Sequence, residues 1–167
     1  MFVLGIDPGL TRCGYGAVVG GPGGALRAEA AGVLTTAPSA ALPDRLAELQ
    51  AGLRDLLAEL RPDAVAVERV FFSANARTAM AVGQASGLAL AEAASVGCEV
   101  AQYTPNEVKA AVTGAGAAPK EQVTRMVQSL LSLAAQPRPA DAADALALAV
   151  CHHACAPLRR RVAGAVR

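Results

Sequence analysis

The spacing of apolar residues changes partway along the chain, and this change constrains the fold more than any other feature. Up to residue 36, short apolar runs are separated by turn residues, whereas beyond it leucines recur at steps of three and four. Short runs of that kind are typical of strands, and the second spacing is typical of one helix face. The leucines are Leu42, Leu46, Leu49, Leu53, Leu56 and Leu60. We therefore expect a helix that packs against a sheet.

Three strands are predicted before that helix, at residues 2–6, 14–19 and 26–36. The first is followed by Asp-Pro-Gly at residues 7–9, which is a turn signal. Residues 20–24, Gly-Gly-Pro-Gly-Gly, indicate a hairpin between the second strand and the third. Strands joined in this way form an antiparallel meander.

Strands and helices alternate in the remainder of the chain. Pro62 ends the leucine helix, because proline cannot continue a helix. Further strands are predicted at residues 63–68 and 98–103, and further helices at residues 74–95, 105–112, 119–133 and 140–154. The order βββαβαβααα places the chain in the α/β class, with a mixed five-stranded sheet flanked by helices.

The length and charge of the chain bound its organisation. A chain of 167 residues, 53% hydrophobic and 17% charged, is suited to a single packed domain. We expect residues 1–157 to form that domain and residues 158–167 to form a basic, flexible C-terminal tail. The formal net charge of +1 argues against a protein that coats nucleic acid by charge alone. It permits a nuclease whose acidic site residues offset the basic residues around them.

The chain shows no basic-then-apolar leader and no apolar run of the roughly 18–20 residues that span a bilayer. We therefore expect a cytoplasmic protein with reduced cysteines. The cluster Cys151, His152, His153 and Cys155 leaves two interpretations open. The two cysteines share a helix face and could bind zinc with further ligands, or a buried cysteine lies beside surface histidines. The second is simpler, because the sequence offers no second pair of ligands.

Four acidic residues occupy positions where carboxylates could meet. Asp7 ends the first strand and Glu68 ends the fourth, so both lie at strand ends that open on solvent. Asp141 and Asp144 lie near the start of the last helix, at a spacing that places both on one helix face. The residues around them are alanine and leucine, so packing gives no reason for two charges there.

Four carboxylates repel one another unless cations neutralise them. Mg²⁺ prefers oxygen ligands and retains water, and two such ions about 3.5–4 Å apart can hold both the attacking and leaving oxygens of a phosphodiester. The set therefore predicts phosphodiester hydrolysis. Taken singly, each residue has a plainer explanation. Asp7 can form a turn, Glu68 can be a surface charge, and Asp141 and Asp144 can cap a helix N-terminus.

Several motifs together resemble the RuvC family of Holliday-junction resolvases. They are Leu-Gly-Ile-Asp-Pro-Gly at residues 4–9 with Gly-Tyr-Gly at residues 14–16, Ala-Val-Glu-Arg-Val-Phe at residues 66–71, and Asp-Ala-Ala-Asp-Ala-Leu-Ala at residues 141–147. Gly-Gln-Ala-Ser-Gly at residues 83–87 is similar to the long central helix of that family. The order and spacing agree, and the likeness covers nearly the whole chain.

This resemblance implies a ribonuclease-H-like fold, a homodimer, and paired symmetric nicks in four-way DNA junctions during recombination and repair. It implies hydrolysis assisted by Mg²⁺ or Mn²⁺, with two ions per subunit. A two-fold protein fits this substrate, because it presents two equal sites to a two-fold junction. The branch-migration proteins RuvA and RuvB are implied as partners.

Carried over residue by residue, the resemblance makes Asp7, Glu68, Asp141 and Asp144 the catalytic metal ligands. The placement of these carboxylates leads us to the hypothesis that the metals activate a water and that Lys120 is catalytic, stabilising charge on the phosphate or the leaving group.

The resemblance also places Lys109, together with Lys120, near the DNA backbone, and Phe71 beside the junction bases. Lys109 and Lys120 are the only two lysines in an arginine-rich chain, which suggests that a compact ammonium is favoured at both positions. Phe71 and Phe72 are adjacent in a loop, so both cannot point into the core, and an exposed ring can stack on an unpaired base. We favour Phe71 for DNA and Phe72 for packing, and keep both as DNA-binding candidates.

Two arginines and two glycines complete the candidate set. Arg69 and Arg77 are candidate phosphate contacts, with a solvated face as the plain alternative. Gly83 and Gly87 form a small-residue pattern that favours close helix approach, either inside the fold or across a dimer interface.

Three other functions fit part of the pattern. An ATP-using kinase of the actin and sugar-kinase superfamily has a turn similar to residues 7–11, but it needs two such domains around its nucleotide. An inactive junction-binding scaffold would leave the four carboxylates unexplained. A relative that cuts RNA–DNA hybrids would differ only in substrate, which the residues by themselves do not separate.

Overall fold

The computed structural model describes residues 1–69 and 76–165, with side chains described in 1–69 and 78–157. The strands are β1 (Phe2–Asp7), β2 (Arg12–Gly20), β3 (Leu26–Thr35), β4 (Ala64–Glu68) and β5 (Glu99–Tyr103). The helices are α1 (Leu42–Leu60), α2 (Ala76–Ser95), α3 (Pro105–Thr113), α4 (Lys120–Leu130) and α5 (Ala140–Ala165). Their order along the chain confirms the order predicted from the sequence.

The strands form one mixed sheet in the order β3-β2-β1-β4-β5. β1 pairs antiparallel with β2 and parallel with β4, and β4 pairs parallel with β5. This confirms the predicted five-stranded mixed sheet flanked by helices. Ile6 lies opposite Val67 in the parallel pair, so the carboxyl ends of β1 and β4 meet at one edge of the sheet.

Each face of the sheet is covered by its own helices. Because side chains alternate between the faces of a strand, Val3 faces α3, α4 and α5, whereas Leu4 and Ile6 face α1 and α2. Leucines of the predicted helical stripe fill the second layer, with Leu49 and Leu53 almost wholly buried. The leucine spacing therefore predicted both the helix and its buried face.

Glycines on β1 and β2 form a floor for α5. A Cβ atom built on Gly5 would lie 1.9 Å from the carbonyl oxygen of Ala145, and one on Gly16 would lie 2.6 Å from the amide nitrogen of Leu146. Any side chain at either position would therefore overlap the helix backbone. Glycine at these positions lets α5 lie directly on the sheet, and residues 142–152 of α5 are accordingly buried apart from a half-buried Asp144.

Two helix ends differ from the prediction. α4 ends at Leu130, whereas residues 119–133 were predicted to be helical. α5 was predicted to end near Ala154 but continues through Pro157 to Ala165. A proline inside a helix removes one hydrogen bond and crowds the preceding turn, yet α5 continues through Pro157, so a proline does not always mark a helix end. The flexibility expected for residues 158–167 stays a prediction.

The histidine environment also differs from the prediction. His152 was expected on the surface, but it is fully buried, with its Nδ1 atom 2.9 Å from the hydroxyl of Tyr103. Cys151 is buried, as expected. Within residues 1–69 and 76–165, no three His, Cys, Asp or Glu side chains form a metal-binding group, so nothing there supports the zinc interpretation.

In the part of the chain that the structure describes, no helix is both long and apolar enough to cross a membrane.

Candidate active site

Asp7 and Glu68 lie side by side at the end of two parallel strands. Each is the last residue of its strand, and the register pairs the residues just before them, Ile6 and Val67. Both point to the sheet face that α5 covers, because they are in phase with Val3 and Ala66 on that face. The two side chains are half-buried and share a hydrogen bond.

Asp141 and Asp144 are brought over this strand end by the first turns of α5. A Cβ atom built on Gly14 would lie 2.2 Å from the carbonyl oxygen of Asp141, so the glycine floor extends under the start of the helix. Gly14 pairs with Asp7 across β1 and β2. The four carboxylates, predicted from three separate segments, therefore meet at one edge of the sheet.

The pKa values of Asp7 and Glu68, the two strand residues of this cluster, are raised by their surroundings. Burial raises the pKa of Asp7 to about 7, and the charges of three neighbouring carboxylates add to the rise; these are Glu68, Asp144 and Asp141. Burial also raises the pKa of Glu68, and the charge of Asp144 adds to it. Both strand carboxyls are therefore harder to ionise than free carboxyls, because they are buried beside other acidic groups.

Arg12, at the start of β2, holds Asp141. Its Nε and Nη2 atoms donate to the same carboxylate oxygen at 3.0 and 2.7 Å, and these bonds keep the pKa of Asp141 below its usual value. The sequence analysis missed Arg12, because no periodic pattern links two residues so far apart in the chain. The only local signal was a cation just after the Asp-Pro-Gly turn.

Lys120, at the start of α4, holds Asp144. Its Nζ atom donates to a carboxylate oxygen at 2.5 Å, and this bond raises the pKa of Lys120. The ammonium also lies close enough to Asp7 and Asp141 for their charges to add to that rise. A cation placed among acidic groups in this way can meet a phosphate that approaches them.

A pocket of about 220 Å³ opens beside the cluster. Its polar lining includes Glu68, Lys109, Lys120 and Asp144, and the remaining lining is Pro105, Val108, Val123, Ala147 and Leu148. Lys109 is half-buried on α3. Both lysines of the chain therefore face one pocket with two of the carboxylates, which is the placement expected for a site that binds a phosphate group.

The carboxylate set suits a hard divalent cation, because every donor is an oxygen and Asp7 carries the electrostatic strain that such an ion relieves. No three of these side chains yet form a ligand group in the described part of the chain. Two of the carboxylates have cationic partners in this arrangement, since Arg12 binds Asp141 and Lys120 binds Asp144. A cation would bind in competition with these two ion pairs.

The remaining predicted DNA contacts fall in different places. Arg69 follows β4 and is exposed. Its backbone N–H donates a hydrogen bond of 2.7 Å to the carbonyl oxygen of Tyr103. Phe71 and Phe72 lie outside the described residues. Arg77 lies in α2, but its side chain is outside the described set. Their roles stay predictions.

Comparison with known sequences gives one family. The model of crossover junction endodeoxyribonuclease RuvC matches residues 3–152. A crossover junction endodeoxyribonuclease RuvC of Salinispora arenicola is 56% identical over 165 residues, which is 99% of this chain and 94% of that protein. The Streptomyces avermitilis protein of the same description is 54% identical, over 99% of this chain and 94% of its own length.

Comparison with solved structures agrees. RuvC from Thermus thermophilus, solved in complex with a Holliday junction substrate, superposes with a TM-score of 0.90 at 39% identity, over 95% of this chain and 96% of that one. The yeast mitochondrial Holliday junction resolvase Ydc2 superposes with a TM-score of 0.68 at 15% identity, over 95% and 82% of the two chains. The second similarity supports the ribonuclease-H-like fold alone.

Proposed function

Because this chain belongs to the RuvC family of crossover junction endodeoxyribonucleases, we propose that it cuts four-way DNA junctions at a divalent-metal site. The proposed metal ligands are Asp7, Glu68, Asp141 and Asp144. Family membership makes the protein a metal-dependent hydrolase that acts on DNA. The relative solved with a Holliday junction supports that junction as the substrate. The kinase alternative loses its basis, because the match extends over nearly the whole chain.

One observation carries the assignment of the site. Four carboxylates from β1, β4 and α5 meet at one sheet edge, and burial with mutual repulsion raises the pKa of Asp7 to about 7. Burying like charges together is costly and adds nothing to the stability of the fold. Such an arrangement is typical of a functional site. It also argues against an inactive scaffold, which would have no use for it.

We infer that Mg²⁺ or Mn²⁺, two ions per subunit, is the metal in question. When bound, such ions supply a nucleophilic water and polarise the phosphodiester. In this proposal Asp7 and Glu68 would hold the metal as ionised carboxylates. A bound cation would oppose the burial and charge repulsion that raise the pKa of Asp7.

Lys120 and Arg12 have complementary roles in this proposal. In the arrangement described here, each neutralises one carboxylate, Asp144 or Asp141. Both cations are roughly half exposed, with 61% and 48% of the side chain accessible, so each can turn to a phosphate without a large change in burial. Lys120 then stabilises charge that develops on the phosphate or the leaving oxygen. Lys109, in the same pocket, is proposed to contact the DNA backbone.

A homodimer is proposed, with α2 as the contact surface. Its exposed face carries small or apolar residues at helical spacing: Met80, Gly83, Gly87, Ala91 and Ala94. Among the described residues, nothing lies within 4 Å of a Cβ atom built on Gly83 or Gly87. The open surface at these glycines supports the second of the two predicted roles, close approach across a dimer interface. RuvA and RuvB remain proposed partners, and the DNA substrate supports the predicted cytoplasmic location.

The test is cleavage of a labelled four-way junction beside a linear duplex of the same sequence, with Mg²⁺ or with EDTA. We expect symmetric nicks only in the junction and only with metal. Asp7→Asn should bind the junction and cut it at least about a hundred-fold more slowly, whereas Asp55→Asn, at an exposed position of α1, should cut normally. Tight binding without cutting in any divalent metal would favour the scaffold. Normal cutting by Asp7→Asn would contradict the carboxylate assignment.

A further inference from the structure

A second groove lies beside the candidate active site, on the other side of Arg12. Its lining residues are Gly9, Leu10, Thr11, Arg12, Arg45, Thr78, Ala81 and Val82. The described lining offers two arginines and two threonines as polar side chains, and no carboxylate is among those described residues. The groove therefore presents positive charge and hydroxyl groups to whatever enters it.

Arg45 is held in this groove by two hydroxyl groups. Its Nε donates to Oγ1 of Thr36 at 3.0 Å, and its Nη2 donates to Oγ1 of Thr11 at 2.7 Å. The Thr36 hydroxyl is itself buried and donates to the carbonyl oxygen of Leu10 at 2.6 Å, which fixes its orientation. The half-buried guanidinium is thus positioned by a chain of hydrogen bonds that starts in the loop after β1.

This arrangement leaves the positive charge of Arg45 unneutralised. Both hydrogen-bond partners are neutral, and among the described residues no carboxylate lies within ion-pair distance of it. Arg45 also lies in the first turn of α1, where the helix dipole disfavours a cation. Asp44 lies in the same turn but does not line the groove. The two hydrogen bonds tie the start of α1 to Thr36 and Thr11, but they supply no counter-charge for the guanidinium.

We propose that the groove binds a backbone phosphate of the DNA, adjacent to the phosphodiester that is cut. The inference rests on the proposed nuclease function. A fixed guanidinium matches two phosphate oxygens, and the Thr11 hydroxyl, which accepts from Arg45, retains its own proton to donate. Arg12 both lines the groove and binds Asp141, so the groove adjoins the carboxylate cluster.

The test is the affinity of a fluorescent four-way junction, measured by anisotropy in EDTA between about 50 and 200 mM salt. Arg45→Gln should reduce the slope of log Kd against log salt by about 0.9 for each subunit contact, and should weaken binding about eight-fold per contact near 0.1 M salt. Arg27→Gln is the matched control, because Arg27 is an exposed arginine on β3 that pairs with Glu29. It should change neither quantity. A slope and a Kd unchanged in Arg45→Gln would overturn the proposal.

Two further variants keep the test decisive if Arg45→Gln fails to fold. Arg45→Lys keeps the positive charge, so the salt slope should be preserved. The variant should bind the junction more weakly, because lysine lacks the fork of donors that arginine presents to a phosphate. Thr11→Val removes an exposed hydroxyl and the hydrogen bond that it accepts from Arg45, so it should weaken binding several-fold without changing the slope. Unchanged affinity in both variants would contradict the proposal.

The outcome separates this proposal from the proposed function. If the wild-type protein binds and nicks the junction but Arg45→Gln and Thr11→Val bind it equally well, the groove assignment fails alone. If the wild-type protein neither binds nor nicks it, the proposed function fails first.

A second experiment measures the effect of inorganic phosphate on the Tm of the wild type and of Arg45→Gln. If phosphate raises the Tm of the wild type more than that of Arg45→Gln while both bind the junction equally, the groove takes free phosphate and the DNA assignment is wrong.

Discussion

Gly14→Ala tests whether the glycine floor positions the catalytic helix. The added Cβ would lie 2.2 Å from the carbonyl oxygen of Asp141 and 2.6 Å from its carbonyl carbon. Both are backbone atoms, so no side-chain rotation relieves the overlap. Ordinary contact begins at 3.4 Å, so the start of α5 must move by about 1.2 Å.

This displacement has two expected consequences. Overpacking of this kind costs about 1–3 kcal/mol, which for a chain of this size lowers Tm by about 2–4 °C per kcal/mol. The same movement carries Asp141 and Asp144 away from Asp7. A misplacement of about 1 Å can cost about a hundred-fold in rate, so junction nicking should fall by that order even at temperatures where the protein is fully folded.

The assays are thermal unfolding by circular dichroism and single-turnover nicking of a four-way junction. Gly21→Ala is the matched control, because its φ of −101° suits alanine and the nearest atom to a Cβ there is 3.7 Å away. It should behave as the wild type. If Gly14→Ala also kept the wild-type Tm and rate, α5 would not lie where the structure has it. A lower Tm with a normal rate would make the floor a packing feature that does not position the carboxylates.

Four other perturbations have expected outcomes. Because the pKa of Asp7 is about 7 in the fold against 3.8 as its ordinary value, ionisation destabilises the metal-free protein as pH rises from about 4 to about 7. Asp7→Asn should therefore stabilise it by about 1–3 kcal/mol at pH 8 and by less at pH 5, measured by calorimetry in EDTA; no stabilisation at pH 8 would refute this. Arg12→Gln should tighten Mn²⁺ binding to the free protein, measured by electron paramagnetic resonance, because Asp141 loses a competing cation; weaker binding would mean that Arg12 supports the site. Lys120→Gln should lower kcat for nicking by about ten- to a hundred-fold with a smaller change in KM, and Lys120→Arg should restore part of it; an unchanged kcat would remove Lys120 from catalysis. Gly87→Glu should convert a dimer to a monomer in sedimentation velocity, and a dimer that persists would place the interface elsewhere.

Much of the fold was predictable because its signals are local. The leucine spacing of α1, the proline that follows it and the glycine-rich hairpin each indicate one element without reference to the rest of the chain. The proximity of Asp7 and Glu68 was also predictable, since the ends of parallel strands meet at one edge. Asp141 and Asp144 were predicted to share a helix face, and they do meet the other two carboxylates.

The parts that escaped prediction depend on contacts between distant segments. The pairing of Arg12 with Asp141 joins β2 to α5, and no periodicity encodes it. His152 was misplaced because α5 is buried on nearly every side, so its polar residue points into the protein rather than to solvent. The helix continues beyond Ala154 for a related reason. α5 packs against the sheet and against α3 in the turns before Pro157, and tertiary packing of this kind is the main source of helix stability.

The central claim is that the four carboxylates together bind the divalent metal ions of one active site. The most direct measurement is Mn²⁺ binding to the DNA-free protein by electron paramagnetic resonance, in the wild type and in the four single amide variants Asp7→Asn, Glu68→Gln, Asp141→Asn and Asp144→Asn. We predict that each variant binds Mn²⁺ at least about ten-fold more weakly than the wild type, and that Asp55→Asn binds it normally. Wild-type affinity in all four variants would contradict the claim and would place the metal elsewhere on the protein.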